Sequence, residues 1–171
     1  MHRFTGLIVA AAIVVTGCAP GATTVAGKPG AASSPIAGGL QPPLGVRVQD
    51  GNLEFAALGV ATTQTVGDPK EPGLSVNARG VFVVVTVSIR NTGDKAITFI
   101  DSYQRLTDKQ GRTFEASNAA DIYGNRDVPS TKIQPGDGLV VRLAFDVPTD
   151  TVPATLLLRE SEFSTGVTAR L

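Results

Sequence analysis

The segment VFVVVTVSIR, residues 81–90, decides how the rest of the chain folds. Every second residue from Val81 to Ile89 is apolar and β-branched, whereas the residues between them change from Phe82 and Val84 to hydroxyl-bearing and charged side chains. This period of two predicts a β-strand with one face in a hydrophobic core. The opposite face is expected to be buried at its start and exposed at its end, where a polar run stops the strand.

The sequence on both sides of this strand continues as short alternating segments separated by turn residues. A second strong strand is predicted at residues 139–147, where Leu, Val, Leu, Phe and Val alternate with other residues and Pro148 follows. In a further segment, 53–55, Leu53 and Phe55 are expected to point inward. Weaker strands are predicted at residues 46–48, 96–99, 103–107, 112–115, 154–160 and 166–171. About eight short strands without a helical pattern predict an all-β fold, an immunoglobulin-like antiparallel β-sandwich.

Two long polar segments interrupt the predicted strands. Residues Thr62–Arg79 contain two glycines and two prolines, and Ala116–Thr131 is rich in Asp, Asn and Ser. Both are longer than ordinary connections, and long loops on a rigid sandwich commonly carry recognition. The sequence therefore predicts two recognition loops.

The N-terminal segment has the pattern of a lipoprotein leader. Residues 1–17 place a weakly basic start before an apolar run that ends at Val15, which is too short to cross a bilayer and typical of a signal peptide. Val15-Thr16-Gly17-Cys18 resembles the lipobox of bacterial lipoproteins. The resemblance implies cleavage before Cys18, lipid on its sulfur and a membrane-anchored protein on the extracytoplasmic face. An ordinary signal peptide that contains a cysteine and a buried core Cys18 are the alternatives.

Residues 18–43 connect the expected anchor to the folded part. Most of them are Ala, Gly, Pro, Ser or Thr, and no apolar period survives. Such a composition predicts a disordered tether, because it cannot bury enough apolar surface to fold. The predicted organisation is therefore a signal peptide at 1–17, a lipidated cysteine with its tether at 18–43, and the β-sandwich at 44–171.

Charge and residue usage exclude several classes of function. Lys+Arg and Asp+Glu are equal at 15 each, which argues against nucleic acid as a partner. Because Cys18 and His2 are the only residues of their kinds, no internal disulfide, hydrolase triad, zinc site or bound cofactor is expected, and the protein is predicted not to be an enzyme. Carboxylates that remain as acid–base candidates are Asp101, Asp108, Glu115, Asp121 and Asp127. A weaker candidate for Ca²⁺ consists of Asn118, Asp121, Asn125 and Asp127, whose spacing departs from the calcium-loop pattern.

Several short motifs occur in an order that resembles a known family. They are DGNLEF at 50–55, VSIRNTG at 87–93, LTDKQGRTF at 106–114, IQPGD at 133–137, FDVP at 145–148 and PATL at 153–156. The chain from about residue 45 to 171 is similar to the telokin-like, immunoglobulin-like extracellular domains of bacterial lipoproteins. This family of unknown function includes small secreted immunoprotective antigens of mycobacteria, and the lipobox looks like that of actinobacterial lipoproteins. The resemblance implies a surface-exposed sandwich and supplies no catalytic residue.

Two functional interpretations remain open from the sequence. The first is a non-catalytic interaction module that binds a protein or polymer of the cell envelope through its two long loops. The second is a small-ligand carrier or weak enzyme with a cavity between the sheets.

Overall fold

The segment at 81–90 forms the C-terminal part of the longest described strand, Ser75–Asn91. The computed structural model describes residues 42–68, 70, 73–117 and 130–171. Within them it contains a short 3-10 helix, Asp101–Tyr103, and ten strands. The strands are β1 (Val48–Asp50), β2 (Leu53–Gly67), β3 (Ser75–Asn91), β4 (Ile97–Ile100), β5 (Arg105–Asp108), β6 (Thr113–Glu115), β7 (Ser130–Ile133), β8 (Gly138–Val147), β9 (Pro153–Leu158) and β10 (Val167–Arg170). The signal peptide, the lipobox, Cys18 and the tether up to residue 41 lie outside the described residues.

The strands form two four-stranded sheets and one ribbon. The first sheet has the order β1-β2-β3-β8, and the second has the order β10-β9-β5-β6. Strands β4 and β7 pair with each other. Every described pairing is antiparallel. The predicted all-β, immunoglobulin-like antiparallel sandwich is therefore confirmed.

The inward face of β3 builds the core, as its alternation predicted. Val83, Val85, Val87 and Ile89 are buried, and β8 opposes them with its own apolar residues. The second sheet contributes buried apolar side chains from β5, β9 and β10, and β2 contributes Leu53, Phe55 and Ala57. On the outer face of β3, Phe82 is buried, whereas the strand's solvent-exposed end carries Arg90. Both expectations for this face are confirmed.

The predicted recognition loop Thr62–Arg79 is wrong, because most of it is strand. Strand β2 continues to Gly67 and β3 begins at Ser75, so that only residues 68–74 connect them. Thr, Val and Gln side chains occupy both faces here, and their mixed polarity hides the period of two. The β-branched residues nevertheless favour extended backbone, and Thr65 donates a side-chain hydrogen bond of 2.6 Å to Asn77 across the pair.

A bulge near the middle of this long hairpin is held by a single carboxylate. Between the pairs Thr63–Phe82 and Thr65–Asn77, β3 contains three more residues than β2. Asp146 on β8 accepts hydrogen bonds from the backbone N–H groups of Arg79 (3.2 Å) and Gly80 (3.3 Å). Burial opposes the ionisation of Asp146, but these bonds and the Arg79 guanidinium outweigh it and hold its pKa below the ordinary value.

The hairpin beyond the bulge covers the apolar end of the outer face. Val66, Phe82 and Ala144 form a small buried cluster, which Val76 and Ala78 complete as partly buried members together with a neighbouring valine of β3. This packing explains why the outward-facing Phe82 is buried. It also leaves the polar end of the same face uncovered by these residues.

Other predicted boundaries shift by a few residues. The first strand is at Val48–Asp50 instead of 46–48, because Gly45 already bonds to Ala57 and Val46 stays exposed. The last two residues of the predicted loop Ala116–Thr131 belong to β7, and residues 118–129 of it lie outside the described residues. The predicted strand 103–107 begins later, because Tyr103 ends the 3-10 helix.

Reciprocal carboxylate contacts close one end of the sandwich. The Asp50 carboxylate accepts hydrogen bonds from the N–H groups of Glu160 (2.7 Å) and Gly166 (3.0 Å). In return, the Glu160 carboxylate accepts a hydrogen bond from the N–H of Asn52. We call these contacts the end clamp. They join the β1–β2 turn to the β9–β10 turn and thus fix the two sheets to each other.

Asn91 connects the turn after β3 to the turn between β7 and β8, at the same end of the sandwich as the end clamp. Its side chain is fully buried, donates to the carbonyls of Lys95 (2.7 Å) and Ile133 (3.0 Å), and accepts from the N–H of Gly93 (2.9 Å). Its backbone N–H donates to the carbonyl of Asp137 at 2.9 Å. These bonds fix the point where β8 begins beside β3.

Candidate functional site

The uncovered end of the first sheet's outer face carries a groove. The cross-strand register places Arg90 between Glu54 and Gly138, and it places Ser88 between Ala56 and Val140. Side chains in directly opposite positions lie on the same face of an antiparallel sheet. One row of side chains therefore carries the two charged residues and a glycine, and the adjacent row carries two small residues and an exposed valine.

Small residues make this part of the face concave. The groove has a volume of about 230 Å³, and Arg47, Glu54, Ala56, Ser88 and Arg90 are among the residues that line it, together with Gly138 and Val140. A Cβ on Gly138 would lie 2.8 Å from the carbonyl oxygen of Ile89, so that a side chain is excluded there by the close approach of β3. The floor is consequently shallow, open and made of Ala and Ser side chains.

The charges of the groove are unevenly distributed. Arg47 pairs with Glu54 at 2.5 Å on the surface, where such a pair contributes little to stability. Arg90 is exposed, and no ion pair of Arg90 is formed among the residues that the structure describes. Its guanidinium offers planar donors to a carboxylate, a phosphate or a hydroxyl-rich chain. The groove is thus suited to binding. Among its lining residues, no second carboxylate accompanies Glu54 as a partner for acid–base catalysis.

Two of the acid–base candidates from the sequence, Asp108 and Glu115, each form an ion pair with an arginine. Asp108 accepts from Arg112 at 2.6 Å, and Glu115 pairs with Arg105 at 2.8 Å. Burial alone would raise the pKa of Asp108, but the hydrogen bonds and charge of Arg112 hold that pKa below its usual range. Each of these two carboxylates therefore serves an ion pair of the β5–β6 hairpin.

Asp101 has a different environment. It is the first residue of the 3-10 helix, and its side chain is buried. Burial raises its pKa from 3.8 to about 7. Asp121 and Asp127 lie outside the described residues, as do Asn118 and Asn125 of the weak Ca²⁺ candidate. Within the described ranges, no cluster of three or more His, Cys, Asp or Glu could hold a metal ion.

The space between the two sheets is occupied by large side chains. Phe55 and Phe99 contact each other with ring centroids 6.3 Å apart and planes tilted by 54°. Leu106, Phe145 and Leu156 are fully buried in the same cluster. The groove described above lies on the outer face, so it does not correspond to the predicted cavity between the sheets.

Neither the groove nor its residues were singled out by the sequence. Small residues at Ala56, Ser88 and Gly138 belong to three different strands, and only their register brings them together. The predicted site residues Val15, Thr16, Gly17 and Cys18 lie outside the described residues. In the described part of the chain, no helix is sufficiently long and apolar to span a membrane.

Comparison with known structures finds the same fold in bacterial proteins. MPT63, a secreted protein of Mycobacterium tuberculosis, is similar with a TM-score of 0.57 and 14% identity, over 81% of this chain and 99% of that one. The yjhA protein of Bacillus subtilis is similar with a TM-score of 0.55 and 14% identity, over 76% of this chain and 98% of that one. At such identities the likeness concerns the fold alone.

Comparison of sequences identifies the family. No curated protein shows significant similarity to the chain. Residues 42–169 match the family described as a domain of unknown function, DUF4352. The β-sandwich fold that the resemblance implied is confirmed, whereas the lipoprotein assignment and the actinobacterial origin stay predictions. Because the match spans most of the sequence, the chain belongs to the DUF4352 family.

Proposed function

We propose that this protein is a lipid-anchored, extracytoplasmic binding module without catalytic activity, and that the outer-face groove is its binding surface. The leader and lipobox with Cys18 support the anchor. The secreted neighbour MPT63 supports a location outside the cytoplasm. The partner is a protein or polymer of the cell envelope, and neither nucleic acid nor a cofactor takes part.

One observation carries the proposal for the surface. The groove combines an exposed arginine, Arg90, with an exposed apolar residue, Val140, beside a floor of small side chains. Arginine is among the residues that most often dominate the binding energy of interfaces. The rigid sheet holds these groups in place, since Arg90 directly precedes the buried Asn91. A segment with acidic groups therefore fits this surface.

The surface is tested by crosslinking in intact cells that express the full chain. A photo-reactive amino acid at Ser88 is expected to capture a reproducible envelope protein or polymer. Arg90→Glu should lower this capture at least about tenfold, because it replaces an attraction by a repulsion worth about 1.5 kcal/mol or more. The matched control is Arg170→Glu, an exposed arginine of the second sheet. Equal capture by wild-type protein and Arg90→Glu would contradict the assignment.

The anchor is tested separately. Cys18→Ser removes the sulfur to which the lipid would be attached, so the protein should leave the membrane fraction or accumulate with its leader attached. Metabolic labelling with palmitate should mark the wild-type protein and not the variant. If Cys18→Ser is cleaved and stays in the membrane like the wild type, lipidation at this position is refuted.

A further inference from the structure

The second half of β2 forms an unpaired edge of the first sheet. Strand β1 pairs with β2 only at Leu53 to Phe55, and the N–H of Gly45 adds one bond of 2.7 Å to the carbonyl of Ala57. Beyond Ala57, the described residues supply no backbone partner on this side of β2 until the strand ends at Gly67. The backbone groups of this edge are consequently available to another strand.

The residues of this edge lack the usual protection against pairing. No charged residue and no proline occur from Leu58 to Gly67, although natural edge strands commonly carry them. Leu58 and Val60 are 49% and 37% exposed. Register shifts at Ala57/Gly59 and at Thr63/Thr65 limit the regular part to residues 59–63. The edge is therefore short, uncharged and partly apolar.

The ladder determines which backbone groups point outward. Ala57 turns its carbonyl toward β1, where it accepts from Gly45. Ala57 pairs with Val87 of β3. Val60 and Thr62 pair with residues 85 and 83, which lie two and four positions before Val87. Because the two directions alternate along an antiparallel strand, Val60 and Thr62 point their N–H and C=O groups to the open edge. Ala61 points its backbone groups inward, to β3.

We propose that this edge pairs with the same edge of a second copy of the chain. Antiparallel pairing about a two-fold axis at Ala61 sets Val60 of one copy against Thr62 of the other, which forms four backbone hydrogen bonds. The uncharged run meets itself without repulsion, whereas it offers no opposite charge to an acidic or basic peptide, and its outward N–H and C=O groups are complementary to those of a second copy. Five paired residues bury much less than the roughly 1,200 Å² of a stable interface, so the association is weak and needs a high local concentration.

The pairing is tested with a cysteine at its centre. Residues opposite each other in a non-hydrogen-bonded pair have Cα atoms about 4.5 Å apart, within the range of a disulfide. Ala61→Cys in the full chain, expressed in intact cells and treated with copper phenanthroline, should form a covalent dimer. The control is Val152→Cys, which is also exposed but lies between β8 and β9, outside both the groove and the edge. We expect at least about fivefold more dimer from the first variant, as crosslinking follows proximity.

A second variant separates pairing from random collision. Thr62→Pro removes an outward N–H without removing a bond to β3, which an edge strand tolerates. Combined with Ala61→Cys, it should reduce the dimer to the level of Val152→Cys, while the protein resists proteolysis as before. Equal dimer with and without Thr62→Pro would overturn the proposal, as would no excess over Val152→Cys. Crosslinking of the Ala61→Cys variant to a different protein instead of to itself would also overturn it.

Discussion

The buried carboxyl of Asp101 makes a quantitative prediction about pH and stability. In the folded protein its pKa is raised by burial from 3.8 to about 7. Between these two values the folded state binds more protons than the unfolded state, so the free energy of unfolding falls as pH rises. The loss begins above pH 4, continues through about pH 7 and is complete above it.

The size of the effect follows from the same two values. A pKa that moves from 3.8 to about 7 sets an upper limit of about 4 kcal/mol. We therefore expect a separation of about 3–4 kcal/mol between the two ends of this pH range. Asp101→Asn replaces the carboxyl by a neutral amide of the same shape. It should therefore stabilise the protein by this amount at about pH 8 and leave it nearly unchanged at about pH 3, where the carboxyl is protonated in both the folded and the unfolded state.

Urea denaturation at several pH values measures this difference directly. The midpoints of wild type and Asp101→Asn should coincide near about pH 3 and separate as pH rises, with equal m-values. Asp94→Asn is the matched control, since Asp94 is exposed and its variant should follow the wild type throughout. Parallel profiles of wild type and Asp101→Asn, with no separation up to about pH 9, would refute the reasoning.

Three further substitutions test the packing. Asn91→Ala removes a buried side chain that bonds three backbone groups, one of them the buried carbonyl of Ile133, and should cost about 3–5 kcal/mol by chemical denaturation. The exposed Asn77→Ala should cost less than about 0.5 kcal/mol. Gly80→Ala puts a Cβ 2.1 Å from the carbonyl oxygen of Val147 and should cost about 1–3 kcal/mol, measured by thermal unfolding; an unchanged Tm would contradict the clash. Asp146→Asn should destabilise at neutral pH, and the difference should shrink in acid as pH falls through the lowered pKa of Asp146, which denaturation at both pH values measures.

The sequence was sufficient to predict the strands whose two faces differ strongly in polarity. Residues 81–90 and 139–147 alternate because one face is buried, and Leu53 and Phe55 point inward for the same reason. The extension of the hairpin into Thr62–Arg79 was missed because its side chains have mixed polarity on both faces. The bulge there depends on Asp146, which is 66 or more residues away from the N–H groups that it binds. No local pattern carries that information.

The groove was missed for a related reason. Ser88 reads as an outward residue of a strand, and nothing near it in sequence indicates which residues lie beside it. Its neighbours Ala56 and Val140 come from β2 and β8 through the register of two separate pairings. Asn91 likewise resembles a turn former, although it is fully buried and binds a carbonyl 42 residues away. Concavity and buried polar bonds are properties of the assembled sheets.

The end clamp has a consequence for the order in which the domain folds. Its two bonds from Asp50 join residues 110 and 116 positions apart, whereas β2 and β3 are neighbours in sequence. Contacts between residues that are far apart in sequence require a larger loss of chain entropy on loop closure, and they tend to form late. The β2–β3 hairpin is therefore expected to form first. The hydrogen bonds of Asp50 to Glu160 and Gly166 are expected to form last. The uncharged edge of β2 is thus expected to be present before the sandwich is complete, at a stage when the pairing proposed above is already possible.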